Sequence, residues 1–148
     1  MSVEAYRHHG QWVEEHEKID PNVRARILAG KKVLASEYVL AQEIRKKDSA
    51  GFEEFLSAYD ALLTPTTQIA AVALQMVQED KPVLARFTRP VNYYGGCALA
   101  LPMGFTRTKL PMSLQVIGAA DSDDTILRIG WALEQRGGLK ASAPPAFG

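Results

Sequence analysis

The sequence predicts an α/β chain in which helices pack on a short mixed sheet of about three strands. Two observations carry that reading. Helical patterns with capping residues fill most of residues 1–58 and recur after residue 120. Between them lie short apolar runs of strand length, bounded by prolines and glycines. The chain reads as one domain over residues 1–148, mainly helical at 1–58, mixed strand and helix at 59–138, with a tail at 139–148.

Val3 to Ile19 has helical composition and a thin apolar stripe. Gly10 weakens that helix by about 1 kcal/mol relative to alanine. Asp20-Pro21 is an N-cap followed by proline at the first helical position, and Val23, Ile27 and Leu28 make a stripe that Gly30 can end. A long helix is expected from Ser36 to about Tyr59. Val39, Leu40, Ile44, Phe52, Phe55, Leu56 and Tyr59 carry its apolar positions, and Gly51 is a place where it could break.

Ala61-Leu62-Leu63, ended by Thr64-Pro65-Thr66-Thr67, has the brevity and wholly apolar composition of a buried central strand. Ile69 to Val77 is apolar enough for a helix, and Glu79-Asp80-Lys81-Pro82 reads as a turn.

The densest punctuation follows. Thr88 to Gly118 holds three prolines and four glycines around two strand-like runs, Ala98–Leu101 and Met112–Ile117. Thr88 can cap a short helix that tolerates Pro90 in its first turn and stops at Gly95-Gly96. A connection of about ten residues would join the two strands, long for a hairpin but compatible with an antiparallel one. Asp121-Ser122-Asp123-Asp124 then opens a helix with a cap and an acidic first turn. Ile126, Leu127, Ile129, Gly130 and Leu133 form its buried face, and Gly137-Gly138 stops it.

Composition narrows the function classes. Apolar residues make up 47% and charged residues 23%, which is globular rather than disordered. Seventeen basic and seventeen acidic side chains give zero formal net charge, so neither a nucleic acid nor an anionic membrane is an expected partner. One cysteine, Cys97, excludes an internal disulfide and fits a reducing compartment. With no apolar leader and no span-length apolar run, a cytoplasmic location is the expectation.

The punctuated stretch also carries a family resemblance. Thr88-x-Pro90-x-Asn92-x-x-Gly95, then Leu101-Pro102-x-Gly104-Phe105, then Leu110-Pro111-x-x-Leu114-Gln115-x-Ile117-Gly118 resembles the C-terminal part of the amidase signature family. Tyr59-Asp60-Ala61-Leu62-Leu63-Thr64-Pro65-Thr66 resembles the family's preceding segment at about the right separation. Cys97 stands where proline is usual, and Lys109 and Ser113 where glycines are usual. The resemblance is strong from Tyr59 onwards and loose before it. It implies a partial amidase-signature fold, a hydrolase acting on amide bonds, and no cofactor.

The family works with a Ser–Ser–Lys triad on a Gly-Ser-rich stretch, with the lysine well upstream. Activating a serine needs a positioned base and oxyanion donors. No serine here (Ser2, Ser36, Ser49, Ser57, Ser113, Ser122, Ser142) is flanked by glycine on both sides. The resemblance therefore implies that this is the C-terminal portion without the catalytic portion. No residue is assigned a catalytic role, and the chain alone is expected to be inert.

In the family, this region helps shape the acyl side of the substrate pocket, which makes Asn92, Tyr93, Gly95, Gly96 and Cys97 the candidate substrate-binding residues. For Asn92 and Gln115, a structural role in a turn or on a sheet face stays open beside the binding role. Glutamine-dependent members tend to carry an Asp where this chain has Ala85, which weakens a glutaminase reading. A thiol nucleophile at Cys97 would need a histidine, and His8, His9 and His16 all lie far earlier; the alternative is a small buried residue. His9 and His16 lack a recognised zinc-ligand spacing, and Asp121-x-Asp123-Asp124 lacks the glycine and distal glutamate of a calcium loop. No metal is expected.

The expected partners are a separate catalytic N-terminal chain or further copies of this one. A small-molecule amide would be bound only in a completed enzyme. The competing reading is a non-catalytic, homo-oligomeric scaffold built on a remnant of the amidase fold.

Overall fold

A computed structural model describes residues 2–16, 18–77 and 83–137. The element order is α1 (Ser2–Glu15), α2 (Pro21–Ala29), α3 (Ala35–Leu56), β1 (Leu62–Pro65), α4 (Thr88–Tyr94), β2 (Cys97–Phe105), β3 (Pro111–Gly118) and α5 (Asp123–Gly137), with single 3-10 turns at Gly30–Lys32 and Leu74–Met76. Contacts divide the chain into two compact units, Met1–Arg45 and Lys46–Gly148, and the division falls inside α3.

In the first unit, α1 packs on α2 around the fully buried Val13. Gly10 is accommodated by packing: the Tyr6 ring lies 2.5 Å from where a Cβ would stand. Asp20 caps α2 as expected, its carboxylate accepting from the amides of Asn22 (2.9 Å) and Val23 (3.0 Å). Glu37 reaches back to the amide of Leu34 at 2.9 Å, one half of a capping box at the start of α3. Tyr38 and Gln42 on α3 donate to Glu4 on α1, each at 3.2 Å. Gly51 does not break α3, which runs unbroken for 22 residues. A penalty of about 1 kcal/mol is too small to stop a helix flanked by good helix formers.

In the second unit, the three strands stand in the order β1-β3-β2. Helices on three strands are the expected α/β arrangement, but both ladders among the described residues are antiparallel rather than mixed. For β2 and β3, two runs joined by a short connection, no other sense is possible. The expected central position of the first apolar run is corrected too. β3 alone is paired on both sides, while β1 lies at one edge of the trio with Leu63 half-exposed.

β2 extends past Leu101 through Pro102, Met103, Gly104 and Phe105, with a register irregularity between Pro102 and Gly104. The hairpin connection thereby shrinks to residues 106–110, closed by the Thr106 amide donating to the Leu110 carbonyl at 2.8 Å. Proline is tolerated here because β2 is an edge strand of the trio.

The core lies between one sheet face and α5. Leu101, Val116 and Ile126 are buried together, with Ala61, Cys97, Leu99, Ile129 and Leu133 packed around them. This matches the helix face expected from the sequence, except that Leu127 is exposed. Gly118 makes the tight passage from β3 towards α5. A Cβ there would meet the Ser122 hydroxyl, and Ile126 Cγ2 at 2.7 Å.

The helix expected over Ile69 to Val77 is replaced by one 3-10 turn. Ile69, Val72, Leu74, Met76 and Val77 are all exposed, so no buried face drives a helix there. The turn expected at residues 79–82 and the tail at 139–148 lie outside the described residues. Among the described residues, no helix is long and apolar enough to cross a membrane.

Candidate functional site

The residues singled out by the sequence converge on the corner where α4 turns into β2. The chain is already turning before Thr88, with the Arg89 amide donating to the Ala85 carbonyl at 3.0 Å, so Phe87 occupies the N-cap position and makes no side-chain cap. Thr88 is thus the first helical residue rather than the cap. At the other end the expected stop is found: Gly95 sits at φ +80°, the left-handed conformation that glycine adopts without a Cβ penalty, and its amide donates to the Val91 carbonyl. Gly96 follows, where a Cβ would lie 2.7 Å from the Gly118 carbonyl oxygen. The two glycines therefore have different reasons, one conformational and one steric.

Asn92 and Tyr93 lie on the last turns of α4 and are exposed. The Tyr93 hydroxyl donates to Asp48 Oδ2 at 2.7 Å, which fixes the phenol beside the second half of α3. Tyr94 stacks on Phe52, with ring centroids 4.7 Å apart and planes 16° from parallel.

Cys97 points the other way, onto the α5 face. Its Sγ lies 3.2 Å from the Ala119 carbonyl, to which it donates, and 3.3 Å from the Ser122 hydroxyl. The site residues thus form one continuous turn of backbone, with Asn92 and Tyr93 presented outward and Cys97 directed inward.

Gln115 takes the structural role left open by the sequence. It is buried on the sheet face opposite Val116, and its Nε2 donates to Thr64 Oγ1 at 3.2 Å and to the Phe87 carbonyl at 3.1 Å. One amide thereby ties β1, β3 and the lead into α4 together. Thr66 was not singled out by sequence reasoning. Its hydroxyl is buried without a hydrogen-bond partner, although its amide donates to the Ser113 carbonyl at 3.0 Å. Its place in Thr64-Pro65-Thr66 was the available signal. Among the described residues, no group of three or more His, Cys, Asp or Glu side chains could hold a metal ion.

The sequence matches the Amidase family over residues 11–127. It is 38% identical over 122 residues to a glutamyl-tRNA(Gln) amidotransferase subunit from Granulibacter bethesdensis, covering 76% of this chain and 24% of that protein. It is 33% identical over 138 residues to a fatty acid amide hydrolase of Medicago truncatula, covering 88% of this chain and 23% of that one. Among solved structures, an amidase superposes with a TM-score of 0.80 at 30% identity, over 91% of this chain and 33% of that one. A chain from a vestigial complex related to an s-triazine catabolic enzyme superposes with a TM-score of 0.80 at 22% identity, over 95% of this chain and 33% of that one, a likeness of fold alone. The chain spans about a quarter of the length of these curated relatives. On the family match and the relatives together, it belongs to the amidase family.

Proposed function

We propose that this chain is the C-terminal portion of an amidase-signature amide hydrolase, contributing fold and one wall of the substrate pocket. The α4–β2 corner is that wall, with Asn92 and Tyr93 facing outward, Gly95 and Gly96 shaping its backbone, and Cys97 anchoring it from the core side. The nucleophilic serine, its partner serine and the lysine base come from the family's catalytic portion, on the same polypeptide or a separate one. Without that portion the chain binds no amide productively and is inert. Ala85, where glutamine-dependent members tend to carry an Asp, weakens a glutaminase reading.

The observation that carries this reading is the ordered match over residues 11–127 to about a quarter of each relative. The apolar groups left exposed on the strands and on α5, such as Leu63 (51%), Phe105 (51%) and Trp131 (66%), support the same reading, because they need a cover.

The test is complementation. The purified chain is mixed or co-expressed with the catalytic portion of a related amidase, and hydrolysis of aryl and aliphatic amides is followed. Neither piece alone should turn over substrate, while the pair should. Turnover by the 148-residue chain by itself, surviving contaminant controls, would sink the proposal. Asn92→Ala in the completed enzyme should raise KM more than it lowers kcat.

The same exposed apolar groups favour a second reading, a homo-oligomeric scaffold. Sedimentation separates the two. A stable dimer with one cooperative melt, indifferent to any catalytic partner, supports the scaffold.

A further inference from the structure

A hollow of about 520 Å³ lies between the second half of α3 and α4, lined by Lys47, Asp48, Gly51, Phe52 and Tyr94. Its volume falls within the range of about 300–1,000 Å³ that small-molecule sites span, and it lies open to solvent. All of its lining comes from the unit Lys46–Gly148.

Its side chains divide by chemistry. Phe52 and Tyr94, stacked on each other, supply its apolar lining. Lys47 and Asp48 place one positive and one negative charge at the rim. Asp48 accepts from the Tyr93 hydroxyl, a neutral donor that orients the carboxylate without cancelling its charge. Among the described residues, Lys47 takes part in no ion pair. Both charges are thus available to a ligand.

Gly51 is the second observation. It sits in the interior of α3, where glycine is a poorer helix former than alanine. Packing does not require it, because a Cβ there would meet nothing within 4 Å. What the missing side chain does is keep the hollow open beside Phe52.

We propose that this hollow binds a small aromatic compound carrying both an ammonium and a carboxylate group, an aromatic amino acid being the simplest. The ring lies against Phe52 and Tyr94, the carboxylate faces Lys47, and the ammonium faces Asp48. This goes beyond the amidase reading and does not depend on it, since every contact comes from this chain.

The full chain, labelled with ¹⁵N, is titrated with L-phenylalanine while the amide signals of residues 47–52 and 93–94 are followed. Saturable shifts confined to these residues are expected. Phenethylamine, 3-phenylpropionate and L-alanine each lack one of the three groups, and each should bind at least about tenfold more weakly. Lys47→Gln should weaken L-phenylalanine by a similar factor. Gly51→Leu should abolish binding without lowering Tm, because leucine is the better helix former and enters open space. No shift at about 10 mM ligand, where even a millimolar Kd would register, overturns the proposal. So does phenethylamine binding as tightly as L-phenylalanine, or binding that survives Gly51→Leu.

Discussion

Replacing Gln115 by leucine tests whether one buried amide holds the sheet and the lead into α4 together. The residue is 3% exposed and sits mid-strand on β3, paired with Thr64 on one side and Ala100 on the other. Leucine nearly preserves volume, so the change removes two donated hydrogen bonds and little packing. Each such bond contributes about 0.5–1.5 kcal/mol net. The Thr64 hydroxyl can rotate to a new partner, and the Phe87 carbonyl, at the N-cap position of α4, keeps the first helical bond. A loss of about 1–3 kcal/mol follows from the two bonds. For a chain of this size that corresponds to a fall in Tm of about 3–10 °C. Urea denaturation of the wild type, Gln115→Leu, Thr64→Val and the double variant gives the coupling directly. A coupling of about 1 kcal/mol between 64 and 115 is expected for the shared bond. A Gln115→Leu protein within about 0.5 kcal/mol of wild type, or zero coupling, would refute the reasoning.

Gly118→Ala should destabilise by about 1–3 kcal/mol, because the new methyl is driven into Ser122 and Ile126; denaturation at wild-type stability would show that the β3–α5 passage has slack. Gly95→Ala should lose about 1–2 kcal/mol for a different reason, the left-handed backbone at φ +80°, with no clash involved. Gly95→Asn should recover part of that loss in the same melt. In the first unit, the hydrogen bond from Lys31 at 2.7 Å, and then the Tyr6 hydroxyl, hold the Glu14 carboxyl below its ordinary value, and Glu14 in turn raises Lys31. The depressed carboxyl adds stability that is complete above the ordinary carboxylate range and is lost as pH falls through its folded value. The raised ammonium adds stability that is complete below the ordinary lysine value and is lost as pH rises through its folded one. Lys31→Met should let the Glu14 carboxyl carbon titrate closer to an ordinary glutamate by NMR, and an unmoved titration would exclude Lys31 as the main cause.

Local chemistry was legible in the sequence. Asp20-Pro21 caps α2, Asp123 and Asp124 open α5, and Gly95 closes α4 at positive φ, each because the relevant partner lies within a few residues. The order of strands was not legible, because it depends on pairing across the chain. Ala61-Leu62-Leu63 is apolar enough to be central, yet β3 holds that place, and its burial rises along its length until Gln115, Val116, Ile117 and Gly118 are all buried. The fate of Ile69 to Val77 was illegible for the same reason. Apolar composition permits a helix, but only a surface to pack against makes one, and none of its large side chains finds that surface among the described residues.

The prolines show how a local signal can mislead while obeying its own physics. Pro102 and Gly104 read as the end of a strand, and the structure carries β2 through both. A proline stops a strand only where its missing amide would have bonded to a neighbour on that side. In this sheet Pro65 lies on β1 and Pro102 on β2, the two edge strands of the trio, and Pro111 is the first residue of β3. All three therefore sit where a lost donor matters least, and the central strand carries none beyond its first residue. The same placement bears on the candidate site. A proline at an outer edge discourages a further strand from pairing there, so Pro102 and the irregularity beside it limit how far β2 can be extended from its outer side. Cys97 to Leu101, at the end next to the α4 corner, carry no such block. A catalytic portion that continued this sheet beyond β2 would therefore pair beside the residues proposed to form the pocket wall, rather than along the hairpin end.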